Sequence, residues 1–234
     1  MDDEQPRKRM VRLPTGGGDG RVAAARLKTA KLRTPSSQAW LKRQLNDPYV
    51  SEAKARGYRS RAAFKLIEID EKSHLLRRGM RVIDLGCAPG GWLQVLQERG
   101  AGAVVGVDLL PVDPVPSTTI IQADFTEPGC GARLAALLGG PPDLILSDMA
   151  PNTTGHRETD HLRITGLIEA AEDFAEKTLN PGGAFVAKAF QGGETAEVIA
   201  LLKRLFTDVR TVKPKASRTE SSELFLVATG FKGP

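Results

Sequence analysis

The chain has 234 residues, enough for one α/β domain with a full core and a short extension. Hydrophobic residues make up 41% of it, and no apolar run approaches the roughly 20 residues that cross a bilayer, so we expect no membrane-spanning helix. The net charge of +5 is uneven, because residues 1–50 hold 11 Lys or Arg against 5 Asp or Glu. A basic arm on a near-neutral domain indicates a polyanionic partner, and a merely solubilising tail is the alternative.

Cysteine usage indicates the redox compartment. Cys87 and Cys130 are the only cysteines, and neither sits in a metal-ligand spacing or a disulfide framework. The opening residues, Met1–Glu4, lack the basic and then apolar layout of a secretory signal. We therefore expect a cytoplasmic protein with no metal, and nothing in the sequence indicates more than a monomer.

The first elements follow a basic segment. Residues 1–35 are rich in Arg, Lys and Gly without an apolar period, which predicts a flexible N-terminal extension, and residues 36–234 are expected to form a single domain. Trp40, Leu41 and Leu45 recur at helical spacing behind a cap at Ser36 or Ser37. A second helix is expected to begin at a Ser60 cap, with an apolar side that consists of Ala63, Phe64, Ile67 and Leu75.

After Gly79 the chain alternates short apolar runs with helical patterns. Seven strands are predicted: Val82–Leu85, Ala103–Asp108, Thr119–Gln122, Asp143–Ser147, Gly183–Ala189, Val209–Val212 and Leu224–Thr229. Helices are predicted near Trp92–Arg99, Ala132–Leu138, Leu162–Thr178 and Thr195–Phe206. Strands that are apolar throughout and alternate with helices are typical of a doubly wound α/β fold, in which a mostly parallel sheet has helices on both faces.

Such sheets bind ligands beyond the carboxyl ends of their strands. The loop Asp84–Trp92 leaves the first strand and enters a helix, and its glycines allow a tight turn and close approach to a ligand. It is not the dinucleotide pattern G-x-G-x-x-G, because Ala88 stands in place of the second glycine. Alone, these glycines would indicate only a turn.

Three acids at the ends of successive strands make a ligand site the better interpretation. Asp108 could accept from both hydroxyls of a ribose, Asp124 could accept from an adenine amine, and Asp148 ends the fourth strand. A lone Asp after a strand is more often a turn former or a helix cap. Three in register favour a nucleoside cofactor, with S-adenosylmethionine ahead of an NAD-type cofactor.

Five segments together resemble a known family. They are Arg59–Leu66, Asp84–Trp92, Ser147–Asn152, Lys188–Gly192 and the tail from Ser217-Arg218 through Ser221 to Glu223. From about Ser36 to Lys232 the chain is similar to the FtsJ/RrmJ-type ribosomal RNA ribose methyltransferases. The resemblance implies a Rossmann-like S-adenosylmethionine-dependent methyltransferase fold with a seven-stranded sheet. It also implies methylation of a uridine 2′-hydroxyl of 23S rRNA, in the A loop of the peptidyl transferase centre, during ribosome assembly.

The same resemblance implies roles for individual residues. The catalytic tetrad would be Lys65, Asp148, Lys188 and Glu223, with Lys188 as the proton acceptor. The cofactor contacts would be Gly90, Trp92, Asp108, Asp124 and Asp148. Phe225 stands where family members commonly carry tyrosine, and Glu220 and Ser222 occupy positions that can be basic in relatives.

The chemistry of the reaction accounts for two lysines and two acids. A ribose hydroxyl is a poor nucleophile, so it must be held in line with the methyl group and must lose its proton. Lys188 can accept that proton only when neutral; a nearby Lys65 favours the neutral form, whereas Asp148 and Glu223 favour the charged form. Two versions stay open: Lys188 as general base, or Lys188 as a charged residue that positions the oxygen. Glu220 is a rival of Glu223 for the acidic role.

RNA binding is predicted for a basic helix that leads directly into Lys65. Its members, Lys54, Arg56, Arg59 and Arg61, would contact phosphates beside the reaction centre. Only RNA offers the 2′-hydroxyl that this chemistry uses, and ribosomal RNA within the large subunit is the expected partner. The alternatives are a 2′-O-methyltransferase for tRNA or an mRNA cap, and a non-catalytic RNA-binding protein.

Overall fold

A computed structural model describes residues 11–12, 26–27, 45–150, 157–192, 194–218 and 221–233. The chain divides into two compact units, Met1–Gly57 and Tyr58–Pro234. In the first unit, Val11–Arg12 pairs antiparallel with Arg26–Leu27. The helix predicted around Trp40 and Leu41 lies outside the described residues.

Helix α1 (Pro48–Ala55) lies in the first unit and was not predicted as a separate element. Its start is well specified: the Asp47 side chain accepts from the Tyr49 N–H, and Pro48 occupies the first turn, where a missing N–H is harmless. The helix ends at Ala55, and the chain turns at Gly57. The predicted single basic helix running into Lys65 is therefore wrong, because Lys54 is on α1 while Arg59 and Arg61 lie in the turn that follows.

Helix α2 (Ala62–Ser73) opens the second unit and carries Lys65. The expected cap at Ser60 is wrong, because Arg61 is the N-cap residue and the buried Ser60 hydroxyl has no hydrogen-bond partner among the described residues. The helix ends where His74 adopts a left-handed conformation. Leu75 thus lies beyond the helix, although it is buried in the core as expected.

All seven predicted strands are present in one sheet. They are β1 (Val82–Leu85), β2 (Val104–Asp108), β3 (Thr119–Gln122), β4 (Leu144–Ser147), β5 (Ala184–Phe190), β6 (Phe206–Val212) and β7 (Glu223–Phe231). Their order in the sheet is β3-β2-β1-β4-β5-β7-β6. Pairing is parallel from β3 to β5, and β7 runs antiparallel between β5 and β6. The short connection after β6 requires this reversal, since a parallel crossover needs a dozen or more residues.

Helices cover both faces of the sheet, as predicted. The other helices are α3 (Gly91–Glu98), α4 (Cys130–Leu138), α5 (Arg157–Thr178) and α6 (Glu194–Leu205). Side chains of α2 and α3 share one core with Val82 of β1, whereas those of α4, α5 and α6 share another with Ile83, the next residue of the same strand. In the part of the chain that the structure describes, no helix combines the length and apolarity needed to span a bilayer.

The strand register brings the predicted site residues together at the carboxyl ends of the parallel strands. Leu85 of β1 is paired with Val107 of β2 and with Ser147 of β4, and Ser147 is paired with Ala187 of β5. The residues that follow these positions, namely Gly86, Asp108, Asp148 and Lys188, therefore emerge side by side at the carboxyl edge of the sheet.

Candidate active site

Lys188 and Asp148 form the centre of the site. The Lys188 Nζ lies 2.9 Å from Asp148 Oδ1 and 2.6 Å from the Asp148 main-chain oxygen. Lys188 is only 7% exposed, because β5 is buried on both sides. A buried ammonium group requires such partners, since an unpaired charge in this environment would be costly.

Lys65 links Asp148 with Glu223. Its Nζ lies 2.8 Å from Glu223 Oε1 and 3.8 Å from Asp148 Oδ1. Helix α2 supplies the lysine, and Glu223 is the first residue of β7, paired with Phe190 at the end of β5. The four predicted tetrad residues thus lie together at one edge of the sheet.

Two aromatic rings pack together beside Lys65. The Phe225 ring is fully buried, and the Lys65 Nζ lies 5.5 Å from its centroid. The Trp92 ring packs against Phe225 with centroids 5.7 Å apart. Phenylalanine in place of tyrosine therefore provides a packing surface and a weak cation–π contact for Lys65, with no hydroxyl.

A cleft of about 730 Å³ adjoins the tetrad at Asp148. Its lining comes from the loops after β1, β2, β3 and β4 and from helix α5: Gly86, Ala88, Val107, Asp108, Leu109, Leu110, Ala123, Asp124, Phe125, Thr126, Asp148, Met149, Ala150, Arg163 and Leu167. Gly86 has a φ of +80°, and a Cβ there would lie 2.9 Å from the Met149 backbone nitrogen. Only glycine fits this position, where the two loops approach each other.

The predicted cofactor acids Asp108 and Asp124 both line the cleft. Asp108 accepts from the Ala88 N–H and the Leu110 N–H, both at 2.9 Å, which fixes its carboxylate against the loop after β1. Asp124 accepts from the hydroxyl and the N–H of Thr126, and these hydrogen bonds lower the pKa of Asp124. Both carboxylates are therefore held in place, and each carboxylate retains capacity to accept from a further donor.

Gly90 and Trp92, predicted as cofactor contacts, do not line the cleft with side chains. The Trp92 indole is buried and donates to the Ala62 oxygen at 2.7 Å. Gly90 is the N-cap of α3, with a φ of +104°, and a Cβ there would lie 2.7 Å from Arg59 Nη1. Any contact that these two residues make with a ligand would come from their backbone groups.

Asp84 is a buried acid whose importance the sequence did not reveal. It lies in β1, is fully buried, and neither carboxyl oxygen has a hydrogen-bond partner among the described residues. Burial and the neighbouring carboxylates of Asp148 and Asp108 raise the pKa of Asp84 well above its usual range. Three carboxyl groups, those of Asp84, Asp108 and Asp148, therefore lie near one another, and burial favours the neutral form of Asp84.

The predicted RNA-binding residues also make internal contacts. The Arg59 guanidinium donates to the backbone oxygens of Pro89, Asp113 and Pro114, the shortest at 2.6 Å. Arg61 donates to the Ala216 oxygen. In the first unit, Arg56 forms an ion pair with Glu52 at 2.5 Å, and Lys54 is exposed on α1.

Glu223 and the loop before it are held by residues to which the sequence assigned no role. Ser217 Oγ donates to Glu223 Oε1 at 2.7 Å, and Glu68 accepts from two backbone N–H groups of the same loop. Ser217 belongs to the tail segment of the family resemblance, which was the available signal. Glu220, the rival acid, lies outside the described residues.

Comparison with known proteins agrees with this geometry. The model of the FtsJ-like methyltransferase family matches residues 58–231. A protein of Caulobacter sp. strain K31, named ribosomal RNA large subunit methyltransferase E, is 67% identical over 225 residues, covering 96% of this chain and 100% of the relative. A protein of the same name from Acidiphilium cryptum is 61% identical, covering 92% of this chain and 96% of the relative.

A solved structure shows the same architecture. A Plasmodium falciparum chain that is described as a ribosomal RNA methyltransferase superposes with a TM-score of 0.69 at 35% identity, covering 76% of this chain and all of that chain. The family match spans the sheet, the cleft and all four residues of the tetrad. The chain therefore belongs to the FtsJ-like methyltransferase family.

Proposed function

We propose that this protein transfers a methyl group from S-adenosylmethionine to the 2′-hydroxyl of a uridine in large-subunit (23S) ribosomal RNA. The observation that carries the proposal is the group of two lysine and two carboxylate side chains beside the cleft, which Asp148 lines. Lys65 pairs with Glu223 at 2.8 Å, and Lys188 pairs with Asp148 at 2.9 Å. Asp148 belongs to both this group and the cleft lining, so a reacting atom can be held at their junction.

The residues of the cleft fit S-adenosylmethionine. Asp108 is oriented by two N–H donors at the position where strand β2 ends, which suits a ribose diol. The Asp84 carboxyl, which has no hydrogen-bond partner among the described residues, lies near Asp108 and Asp148, and this acidic group favours a cationic ligand over the anionic pyrophosphate of NAD. When bound, S-adenosylmethionine supplies an electrophilic methyl group on a sulfonium centre. Asp124, which also lines the cleft, could accept from an adenine amine.

The tetrad would orient the hydroxyl and remove its proton. Lys65 and Lys188, each bound to a carboxylate, can direct N–H groups at the 2′-oxygen and hold it in line. A neutral Lys188 amine would accept the hydroxyl proton as the oxygen bonds to the methyl carbon and the carbon–sulfur bond of the sulfonium breaks, and it would later release that proton to solvent. Asp148 and Glu223 fix the two amines and compensate their charges. A positioned base contributes roughly 10²–10⁴-fold in rate.

The choice of RNA rests on the relatives. Proteins 67% and 61% identical to this chain are named as methyltransferases of the large ribosomal subunit. We propose the A loop of the peptidyl transferase centre as the region of the target, because the resemblance to the FtsJ/RrmJ-type enzymes implies it. The alternative with the same chemistry is methyl transfer to tRNA or to an mRNA cap. The non-catalytic alternative is a protein that binds RNA without methylating it.

We further propose that Lys54, Arg56, Arg59 and Arg61 contact RNA phosphates and that the basic segment 1–35 also binds RNA. Each guanidinium carries five N–H donors, so the internal bonds of Arg59 and Arg61 are compatible with a phosphate contact. A ribosomal substrate and two free cysteines support a cytoplasmic site of action. We propose that the protein acts as a monomer.

Methyl transfer can be measured with tritiated S-adenosylmethionine. Large ribosomal subunits from cells that lack the protein should become labelled, whereas tRNA and capped RNA should not. Mapping of 2′-O-methyl positions should then show one new uridine in 23S rRNA. Label in tRNA alone would support the alternative substrate, and no label in any RNA would support the non-catalytic alternative.

A further inference from the structure

One face of helix α2 holds the loop that precedes Glu223. Arg61, Lys65 and Glu68 are spaced by four and three residues, which places them on one face of the helix. Lys65 contacts Glu223, while the other two contact the loop between β6 and β7. The helix that supplies one residue of the tetrad therefore also binds the segment that supplies another.

Both backbone polar groups of Ala216, its N–H and its carbonyl oxygen, are hydrogen-bonded to charged side chains. The Glu68 carboxylate accepts from the Lys215 N–H at 2.5 Å and from the Ala216 N–H at 3.0 Å. The Arg61 guanidinium donates to the Ala216 oxygen. Two charged side chains, one on each side of Lys65 along α2, thus fix the backbone immediately before Ser217, because charge-assisted hydrogen bonds are short and strong.

Ser217 connects this fixed segment of backbone to the Glu223 side chain. It is 5% exposed, its N–H donates to the Pro214 oxygen at 3.0 Å, and its hydroxyl donates to Glu223 Oε1 at 2.7 Å. The same Oε1 faces Lys65 Nζ. A hydroxyl that donates to a carboxylate oxygen leaves that oxygen in a single orientation, with its remaining lone pair available to the lysine.

We propose that Ser217 is a positioning residue for Glu223. Glu68 and Arg61 in turn position Ser217, because they form hydrogen bonds with the backbone immediately before it. This inference rests on the proposed function, in which Glu223 orients Lys65 against the ribose. Ser217 touches neither substrate nor cofactor in this scheme. Its contribution passes through Glu223 alone.

The test compares Ser217→Ala and Ser217→Thr under single-turnover conditions with ribosomal subunits. Ser217→Ala should lower the rate of transfer roughly tenfold, the effect of losing one hydrogen bond to a charged group, with KM for S-adenosylmethionine unchanged. Ser217→Thr keeps the hydroxyl and should recover most of the rate. Ser73→Ala is the matched control, because the Ser73 hydroxyl at the far end of α2 is buried without a hydrogen-bond partner among the described residues.

A double-mutant cycle separates positioning from a general loss of structure. In a Glu223→Ala background, Ser217→Ala should change the rate less than twofold, since nothing remains to be positioned. Glu68→Gln should weaken transfer in the same direction, and Glu71→Gln, an exposed change on the same helix, should not. Wild-type rate in Ser217→Ala, or an equal tenfold loss in both backgrounds, would overturn the inference.

Unfolding by urea provides a readout that does not depend on activity. The Ser217→Ala and Glu223→Ala changes should be coupled by at least fivefold in the unfolding constant, and a coupling near unity would overturn the inference. If the coupling is present while the wild-type protein methylates no RNA, the proposed function fails and the structural role of Ser217 stands.

Discussion

Lys188 binds Asp148 through two different oxygens, one of the side chain at 2.9 Å and one of the main chain at 2.6 Å. The main-chain contact ties the lysine to the end of β4, and the side-chain contact ties it to the wall of the cleft. One buried lysine side chain therefore joins the wall of the cleft to the tetrad.

The first prediction concerns this lysine. Lys188→Met should lower single-turnover methyl transfer by at least 100-fold, because both the orienting N–H groups and the proton acceptor are removed. Affinity for S-adenosylmethionine, measured by calorimetry, should not weaken, since the change removes a positive charge near a cationic ligand. Lys177→Met, an exposed substitution on α5, is the control and should leave the rate unchanged. Weak transfer caused only by weak cofactor binding would contradict the assignment.

The pH dependence of the same step distinguishes the two versions of the mechanism. If Lys188 accepts the proton, only its neutral form is active, and the rate should rise about tenfold per pH unit while the ammonium form predominates. If Lys188 stays charged and only positions the oxygen, the rate should not follow this ionisation. A rate that shows no dependence on this ionisation would thus favour the positioning version.

The second prediction concerns Asp84. Its raised pKa reflects burial and two neighbouring carboxylates, so a bound cation should favour ionisation of this group. Binding of S-adenosylmethionine should therefore release a proton, and its affinity should increase as pH rises. Calorimetry in buffers of different ionisation enthalpy measures the proton directly. Asp84→Asn imitates the neutral form and should abolish the release; a wild-type protein that releases no proton would contradict the prediction.

The strand pattern could be predicted because each strand is a short apolar run between turn residues. The bounds of β1 and β3 are those expected, and the other strands differ by a few residues at their ends. The register of a parallel sheet then brings Asp108, Asp148 and Lys188 to one edge without further information. Lys65 and Glu223 needed the family resemblance, because they come from a helix and an antiparallel strand.

Other features depend on tertiary contacts that a linear pattern does not contain. Ser60 has the residue type of a helix cap, yet the neighbouring Arg61 takes that position. Arg59 has the charge of a phosphate-binding residue, yet its guanidinium bonds to three backbone oxygens that are 30 to 55 residues away. In the sequence, Asp84 is an ordinary acid beside a loop; only the fold shows that its carboxyl group is buried away from water. Long-range partners decide all three.

The third prediction separates two roles of Arg59. Because its guanidinium joins Pro89 in the loop after β1 to Asp113 and Pro114, Arg59→Ala should weaken S-adenosylmethionine binding severalfold even without RNA. Lys54→Ala should leave cofactor affinity unchanged, should weaken RNA binding, and should reduce the salt dependence of that binding by about one unit of slope for each phosphate that the variant no longer neutralises. Cofactor affinity measured by calorimetry and RNA affinity measured between about 50 and 200 mM salt test both variants. Equal cofactor affinity in Arg59→Ala and wild type would contradict the structural role.

The fourth prediction concerns stability and Glu172 of α5, which is not a member of the tetrad. Glu172 is 5% exposed, and its Oε1 has no hydrogen-bond partner among the described residues. Burial, together with the charges of Glu176, Asp173 and Glu169, raises the pKa of Glu172 to about 7, against a partial compensation from Arg204. The folded protein therefore binds this proton more tightly than the unfolded chain does.

The sign of the effect follows from proton linkage. Between the ordinary pKa of 4.5 and the folded value of about 7, the unfolded chain has lost the proton and the folded protein keeps it, so the free energy of unfolding decreases as pH rises through this window. Glu172→Gln imitates the protonated form and should stabilise the protein by about 1–2 kcal/mol at pH 8, with the gain shrinking toward zero near pH 5. Urea unfolding at several pH values measures the difference. The exposed change Glu71→Gln should show no such pH dependence, and a Glu172→Gln gain that is equal at pH 5 and pH 8 would show that packing, not ionisation, is responsible.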